Sequence, residues 1–473
     1  MNIYEVLRAR GYTTVPEEFY TYIENWRSWY DGYVKQFHRY RIWNGMKYVP
    51  CRLYSLGMAK KVCEDWANLL MNEKVQITLE GKKEQAFIDD VFRRNNFTVK
   101  INEMQELKAA RGTTAYVPTV SNVQVDGQTG TVTGTDGEIR IDYVPADLIL
   151  PLTWENGIVT ECAFGSHKAV KKDTYLYICI HKRSERGTYD IENLLYRDTK
   201  GSLSEVNLAD VPGFENIPPV VHTPFTQRTF VIDRLNIANN VDPTLPMGIA
   251  VFANAIDQLK GVDVTYDSYV NEFQLGKKRV MLKPQAVKDF KSGEPLFDTN
   301  DVVFYVLPAD GKQDGEIIKE IDMQLRTAEH NAGIQDMLNL LSSKCGFGEN
   351  HYKYDNGNVS TATQIISENS EMFRTIKKHE IILEDVLVEL CRILLRMGNA
   401  YMKLGLDEDV EITIDFDDSI IEDKETDFSR DSRMVQMGIM NNWEFRAKWM
   451  NEDEATAKAA LPKMESLVSS ENE

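Results

Sequence analysis

The stretch near residues 361–404 constrains this chain most. Its apolar residues recur at three- and four-residue spacings for roughly forty residues, far beyond the usual helix length. Ile365, Ile366, Met372, Phe373, Ile376, Ile381, Val386, Leu387, Leu390, Ile393 and Leu394 mark its buried side. Thr361, with Gln364 three residues on, has the form of a capping box that launches the helix. A helix of this length needs neighbours along its whole extent.

The residues before it have the order helix, compact insert, helix, loop. A first helix over about 249–273 carries an apolar stripe through Ile249, Phe252, Ile256, Leu259, Tyr266, Val270 and Phe273. Its other face holds Asp257, Lys260, Asp263, Asp267 and Glu272 and is expected to be wetted, with an acidic bias. At about 1.5 Å per residue it spans roughly 37 Å. A second helix over about 323–344 repeats the pattern through Leu325, Ala328, Ile334, Met337, Leu338 and Leu341, and Gly346 is placed to end it. Between them, Lys278–Leu282 and Val302–Leu307 read as strands, Gln285–Phe290 as a short helix, and Pro284 and Lys291 to Pro295 as turns. The segment GFGENHYKYDNGNVS (346–360) is a loop by composition.

Three phrases carry a resemblance. SLGMAKKVCEDWANLLMNEKV (55–75), PTLPMGIAVFANAIDQLKGVDVTYDSYVNEFQLGKKRV (243–280) and NGNVSTATQIISENSEMFRTIKKHE (356–380), in this order along the chain, resemble portal proteins of long-tailed (siphovirus-type) bacteriophages. The resemblance implies an α+β portal fold divided as follows: 1–245 a wing of N-terminal helices and an antiparallel β-region, 246–273 the first stem helix, 274–322 a small α/β clip, 323–345 the second stem helix, 346–360 the tunnel loop, 361–427 the long wing helix and a return strand, and 428–473 a small helical crown. It also implies a homo-oligomeric ring, commonly a dodecamer, at one capsid vertex. Double-stranded DNA is pumped in through the ring and later leaves, without regard to sequence. The implied partners are the terminase large subunit, a head-completion or adaptor protein, and the major capsid and scaffolding proteins, with no cofactor and no membrane. The implied setting is the virion, after assembly in the bacterial cytoplasm.

Composition bounds the remainder. The chain has 473 residues, ample for a core, and at 42% hydrophobic and 27% charged it reads as soluble and globular. Acidic residues outnumber basic ones 73 to 54, for a net charge of −19, which argues against high-affinity nucleic-acid binding, because neutralising phosphates takes clustered Lys and Arg. The six cysteines lack CxxC spacing and read as reduced and mostly buried, and no apolar run approaches a membrane span. Residues 17–34 form an amphipathic helix with the aromatic stripe Phe19, Tyr22, Ile23, Trp26, Trp29, Tyr30 and Tyr33, either packed on a neighbouring element or forming a subunit interface. A hairpin centred on Asn44 and Gly45, a helix over about 56–72 and two more within 83–111 follow. From 113 to about 225 the period changes to two, giving antiparallel strands, and Val410–Phe416 alternates like an edge strand. Helices around Met434–Met440 and Trp443–Met450 close the chain.

Chemistry finds little support. There is no GxxxxGK[ST] and no HExxH. The acidic group Asp415, Asp417 and Asp418 with Glu422 and Asp423 could hold two divalent cations for phosphoryl chemistry, or is a solvated strand end followed by an acidic turn. Lys277, Lys278, Arg279 and Lys283, at the base of the insert, are either solvated surface or a docking site for a packaging motor. In the loop, His351, Tyr352, Lys353 and Tyr354 present one firm cation among aromatics, enough to graze a DNA backbone. Asp257, Asp263, Asp267 and Glu272 would give a channel wall that repels DNA and lets it slide. The alternatives are a structural capsid or scaffold component that never touches DNA, and a metal-dependent phosphoryl-transfer enzyme.

Overall fold

The computed structural model describes residues 2–43, 46–71, 75–121, 123–125, 132–135, 137–199, 201–275, 279–282, 304–306, 318–321, 324–353, 362–416, 424–450 and 452–461. Its described helices are α1 (Ile3–Ala9), α2 (Glu17–Tyr30), α3 (Lys35–His38), α4 (Met58–Leu70), α5 (Lys82–Arg94), α6 (Phe97–Arg111), α7 (Ile256–Leu275), α8 (Thr327–Lys344), α9 (Ala362–Met402), α10 (Lys424–Gln436), α11 (Asn442–Met450) and α12 (Glu454–Ala459). The strands between α6 and α7 are antiparallel, so the chain is α+β.

Period-two patterning builds the β-region. Its larger sheet runs, edge to edge, Ser202–Val206, Tyr189–Thr199, Asp173–Arg183, Ile158–Val170 and Ile149–Glu155, and Val220–His222 pairs with part of Tyr189–Thr199. Leu176, Ile178 and Ile180 point into the main core, whereas Tyr175 and Leu195 join Leu208, Val211 and Phe214 in a smaller cluster. A second sheet sets Thr113–Val120 between Val231–Arg234 and Ile139–Pro145. The strand expected near 410–416 is Ile412–Asp415. Its partner, Gln76–Leu79, which the sequence reading did not pick out, comes from the other end of the chain.

The aromatic stripe of α2 is buried within the subunit against α4 and α6, through Phe19, Tyr20, Ile23, Trp26 and Trp29. Packing on a neighbouring element is therefore the correct alternative, although Tyr22 and Tyr33 fall off the buried face and stay exposed. The core also encloses ionic groups. Lys108 Nζ lies 2.9 Å from Asp233 Oδ1, and Asp233 Oδ2 accepts from Gln105 Nε2 at 2.8 Å and from the Tyr116 hydroxyl at 3.3 Å.

Helix α7 begins later than its stripe suggests. Ile249 to Phe252 are buried but not helical, because Val251 N–H donates to Ala109 O at 2.8 Å and Gly248 N–H to Thr113 Oγ1 at 2.8 Å. These bonds commit the backbone to the end of α6, and one 3-10 turn, Ala253–Ala255, leads into α7. The crossing is close enough to require glycine twice. A Cβ on Gly112, which has φ +84°, would stand 2.4 Å from Gly248 O, and one on Gly248 would stand 2.2 Å from Gly112 O. Gly248→Ala is expected to prevent stable folding, since both obstacles are backbone. A melting temperature equal to wild type would contradict the crossing.

Helix α9, with 41 residues, buries Met372, Ile376, Leu383, Val386, Leu387, Leu390, Cys391, Ile393, Leu394 and Leu395. Among the described residues its neighbours include Val231–Arg234, Val132–Thr135, Ile412–Asp415, α4 and α5. Ile381, expected on the buried side, is 61% exposed, and the side chains of Ile365 and Ile366 and all of Thr361 lie outside the described residues. The insert is a mixed three-stranded sheet in which Arg279–Leu282 runs parallel to Phe304–Val306 and antiparallel to Ile318–Ile321. The third strand was not anticipated, and the short helix 285–290 and its turns lie outside the described residues.

Two buried histidines tie stability to pH. His181 donates to or accepts from Thr229 Oγ1 at 2.7 Å, and His379 Nδ1 accepts from Asn236 N–H at 3.1 Å. Burial pushes both down to about 3, helped at His379 by the charges of Lys108 and Lys378. Unfolded histidine titrates near pH 6.5, so below that value the unfolded chain takes up protons that the folded chain refuses. Stability is complete above about pH 6.5 and falls as pH drops toward 3, by at most about 1.4 kcal/mol per pH unit per histidine. A melting temperature that stays flat from pH 7 to 4 would contradict this.

Candidate functional site

The helical hairpin α7–α8 closes at the base of the insert through one ion-pair cluster. Arg326 grips Glu272 in bidentate fashion, Nε to Oε1 at 3.0 Å and Nη2 to Oε2 at 2.8 Å, and His330 Nε2 stands 3.5 Å from the same carboxylate. The hydrogen bonds from Arg326 hold the Glu272 carboxyl well below its usual range, at about 2. Farther down, Gly261 on α7 faces Met337 of α8, and a Cβ there would meet the Met337 sulfur at 2.9 Å.

The expectation of one wetted acidic face on α7 is corrected. Asp263 and Asp267 are buried at 4% and 8% exposure. Asp263 Oδ1 accepts from Leu56 N–H at 2.8 Å, and Oδ2 faces His38 Nε2 at 2.9 Å. His38 Nδ1 lies against the Val34 backbone, 2.8 Å from its N and 3.2 Å from its O, and Nε2 donates to the Asp263 carboxylate. Asp267 accepts from Tyr54 N–H at 2.9 Å and from Asn271 Nδ2 at 2.8 Å. The irregular segment 53–57 leaves backbone donors that need acceptors, and α7 supplies them. Neither aspartate can line a wall. Glu272 is held by Arg326, and of the four acids Asp257 alone has a side chain mostly in solvent, beside Lys260 at 2.9 Å.

The start of the loop is an anchored corner. Helix α8 ends in a Schellman turn: Gly346 has φ +86°, Phe347 N–H donates to Ser342 O at 3.1 Å, and Gly346 N–H to Ser343 O at 3.2 Å. Trp66, buried completely, donates from Nε1 to Cys345 O at 3.0 Å and stacks near Phe347, with ring centroids 4.8 Å apart. Ser342 Oγ donates to Gly348 O at 2.6 Å. The glycines at 346 and 348 therefore shape a turn and do not loosen the loop there, while Gly357 lies outside the described residues.

Of the four residues expected to meet DNA, Tyr352 turns inward. Its ring packs beside His351 at 4.7 Å and Phe347 at 5.7 Å, its carbonyl accepts from Gln335 Nε2 at 2.8 Å, and burial, with the charge of Asp65, pushes its phenol far up. His351 lies flat on Phe347 at 4.4 Å, with Nε2 3.8 Å from Asp65 Oδ2. Lys353 is exposed at the end of the corner, and Tyr354 lies outside the described residues. Trp66, Gln335 and Asp65, which hold the corner, were missed. Only the glycine spacing after an amphipathic helix pointed to a turn.

At the insert, Arg279 is a strand residue paired with Ile321, while Lys277, Lys278 and Lys283 lie outside the described residues. Asp415 ends the strand paired with Gln76, and Asp417, Asp418, Glu422 and Asp423 also lie outside them. Among the described residues no group of three His, Cys, Asp or Glu could hold a metal ion, and no helix is long and apolar enough to cross a membrane.

No curated protein matches the chain. A family model described as phage portal protein, SPP1 Gp6-like, matches residues 12–465. That span takes in both helices of the α7–α8 hairpin, the insert at its tip, the anchored corner and the whole of α9, and the chain belongs to this phage portal protein family.

Proposed function

We propose that copies of this chain form a closed ring at one capsid vertex, a channel through which double-stranded DNA enters and leaves the virion. The family match across residues 12–465 carries this reading, and the chain order of helix, three-stranded insert, helix and 41-residue helix supports it. The α7–α8 hairpin is the stem, the insert at its tip the clip, and the loop after the Trp66 corner faces the bore. The clip, with Lys277, Lys278, Arg279 and Lys283 at its base, docks the terminase motor during packaging and the head-completion protein afterwards, and the ring seats among capsid and scaffolding proteins. The work is mechanical and requires no catalysis by this chain.

The charge argument changes with the burial of Asp263 and Asp267. With those acids occupied in holding residues 54–56, the contribution of α7 to repelling DNA reduces to Asp257. The overall charge of −19 still disfavours tight binding, and Lys353 at the edge of the corner gives each copy one phosphate contact. Electron microscopy of the purified full chain tests the proposal. The expected images are closed rings with a central hole wide enough for duplex DNA. A chain that stays monomeric at micromolar concentration across salt conditions would sink it, and would favour a structural component that never encloses DNA.

A further inference from the structure

We propose that the paired strands Arg39–Trp43 and Tyr48–Arg52 are the arm by which one copy of this chain grips the next, docking on an acidic surface of that copy. The inference rests on the ring reading above and adds to it a surface and its chemistry.

The sequence around these strands inverts the character of the chain. Between Gly32 and Cys63 there are seven Lys and Arg and no Asp or Glu; without those charges the rest of the chain stands at −26, against −19 for the whole. Lys60 and Lys61 are matched within the subunit by Glu106 and Asp65. Among the described residues, Lys35, Arg39, Arg41 and Arg52 have no carboxylate partner, and Arg52 lies instead over the Tyr33 ring at 5.0 Å.

The register sharpens this imbalance. Arg39 pairs directly with Arg52, Arg41 with Pro50 and Trp43 with Tyr48, so alternation puts all six on one face, and every one is exposed. Like charges directly opposite each other destabilise a two-stranded sheet, and among the described residues no carboxylate offsets them. Trp43 and Tyr48 meet with ring centroids at 5.2 Å while remaining 55% and 66% exposed, and Ile42 and Met46 add apolar surface at 49% and 89% exposure. Among the described residues, the two strands pair only with each other. Their base, in contrast, is pinned: Leu53 N–H donates to His38 O at 2.9 Å, His38 donates to Asp263, and Tyr54 N–H donates to Asp267. A fixed base and an uncovered cationic, aromatic end make an arm.

The composition selects the occupant. Arg, Trp, Tyr and Met are the residues enriched at buried protein interfaces. A DNA duplex would satisfy the arginines, but its bases are stacked inside and its phosphate backbone gives Ile42, Trp43 and Met46 nothing apolar to bury against. The partner has to be acidic and partly apolar, and another copy of this chain, at −26 outside the segment, fits both requirements.

The test uses the full chain. Arg39→Glu with Arg41→Glu, and separately Trp43→Ser with Met46→Ser, are compared with wild type for ring assembly by sedimentation and for folding by thermal melting. A lysine-reactive cross-linker applied to mixed heavy- and light-isotope chains then reports whether Lys47 joins two copies. The expected result is a shift from rings to folded monomers in both variants, with Lys47 cross-links between heavy and light wild-type chains. Rings at the wild-type level in both variants, or Lys47 links confined to one chain, overturn the inference while leaving the ring reading intact. Variants that form rings but lose association with a DNA duplex overturn it in favour of a DNA contact. A wild-type chain that is itself monomeric removes the ring reading and this inference together.

Discussion

Replacing Asp233 by alanine is expected to destabilise the chain by about 3–5 kcal/mol, the usual cost of breaking a buried ion pair from one side. Lys108 and Asp233 have side chains 1% and 0% exposed, so the ammonium left behind can neither reach water nor find another carboxylate. Burial already lowers the pKa of Lys108, and in the variant it would lose the one charge that opposes this shift. Gln105 Nε2 and the Tyr116 hydroxyl would lose an acceptor at the same time, at a further cost per group. The measurement is the thermal midpoint and soluble yield of the full chain. Adding Lys108→Met to Asp233→Ala should recover much of the loss, because the uncompensated charge is then gone. An unchanged midpoint in the single variant would mean that water reaches the pair.

Trp66→Ala should have a comparable effect, about 3–5 kcal/mol, from the loss of a large, fully buried ring. The indole touches three residues: Phe347 and Cys345 in the corner after α8, bonding the carbonyl of the latter, and His379 on α9 at 5.1 Å. Its removal detaches the corner from α9, so the loop that follows should become more accessible to protease than the rest of the chain. Trp66→Phe keeps most of the packing and loses only the bond to Cys345 O, an expected cost of roughly 1–3 kcal/mol. Equal destabilisation by Phe and Ala would show that the hydrogen bond, and not the ring, holds the corner. A wild-type rate of cleavage between 346 and 360 in Trp66→Ala would show that the corner is anchored elsewhere.

Regular periods made much of this fold legible. Helix α9 and the strands between α6 and α7 each repeat one apolar spacing long enough to outweigh local exceptions, and their placement agrees with the reading except at single residues such as Ile381. The site was less legible, because its polar residues answer to distant partners. Asp263 and Asp267 sit on the hydrophilic side of α7 by pattern, yet their partners are the backbone of Leu56 and Tyr54, more than two hundred positions away. Periodicity separates apolar from polar faces but cannot tell a hydrated carboxylate from one accepting buried N–H groups. The same limit hid the late start of α7, whose apolar residues 249–252 are buried by docking on α6. It also hid the inward turn of Tyr352, since an aromatic residue in a glycine-rich loop looks the same in sequence whether it faces solvent or Phe347. The likeness to portal proteins drew on long phrases of sequence and was independent of these local errors.

The insert meets the rest of the chain at one doorway. Its first and last described strands lie side by side, Arg279 opposite Ile321, and just outside them the Glu272–Arg326 pair latches the ends of α7 and α8 together. Everything between the two strands can therefore lengthen, shorten or be exchanged without moving the helices below, provided that the incoming piece also begins and ends as neighbouring antiparallel strands. On the proposed reading, in which the insert docks the motor, a lineage that acquires a different motor could refit this chain by trading one cassette of sequence while leaving the body as it is.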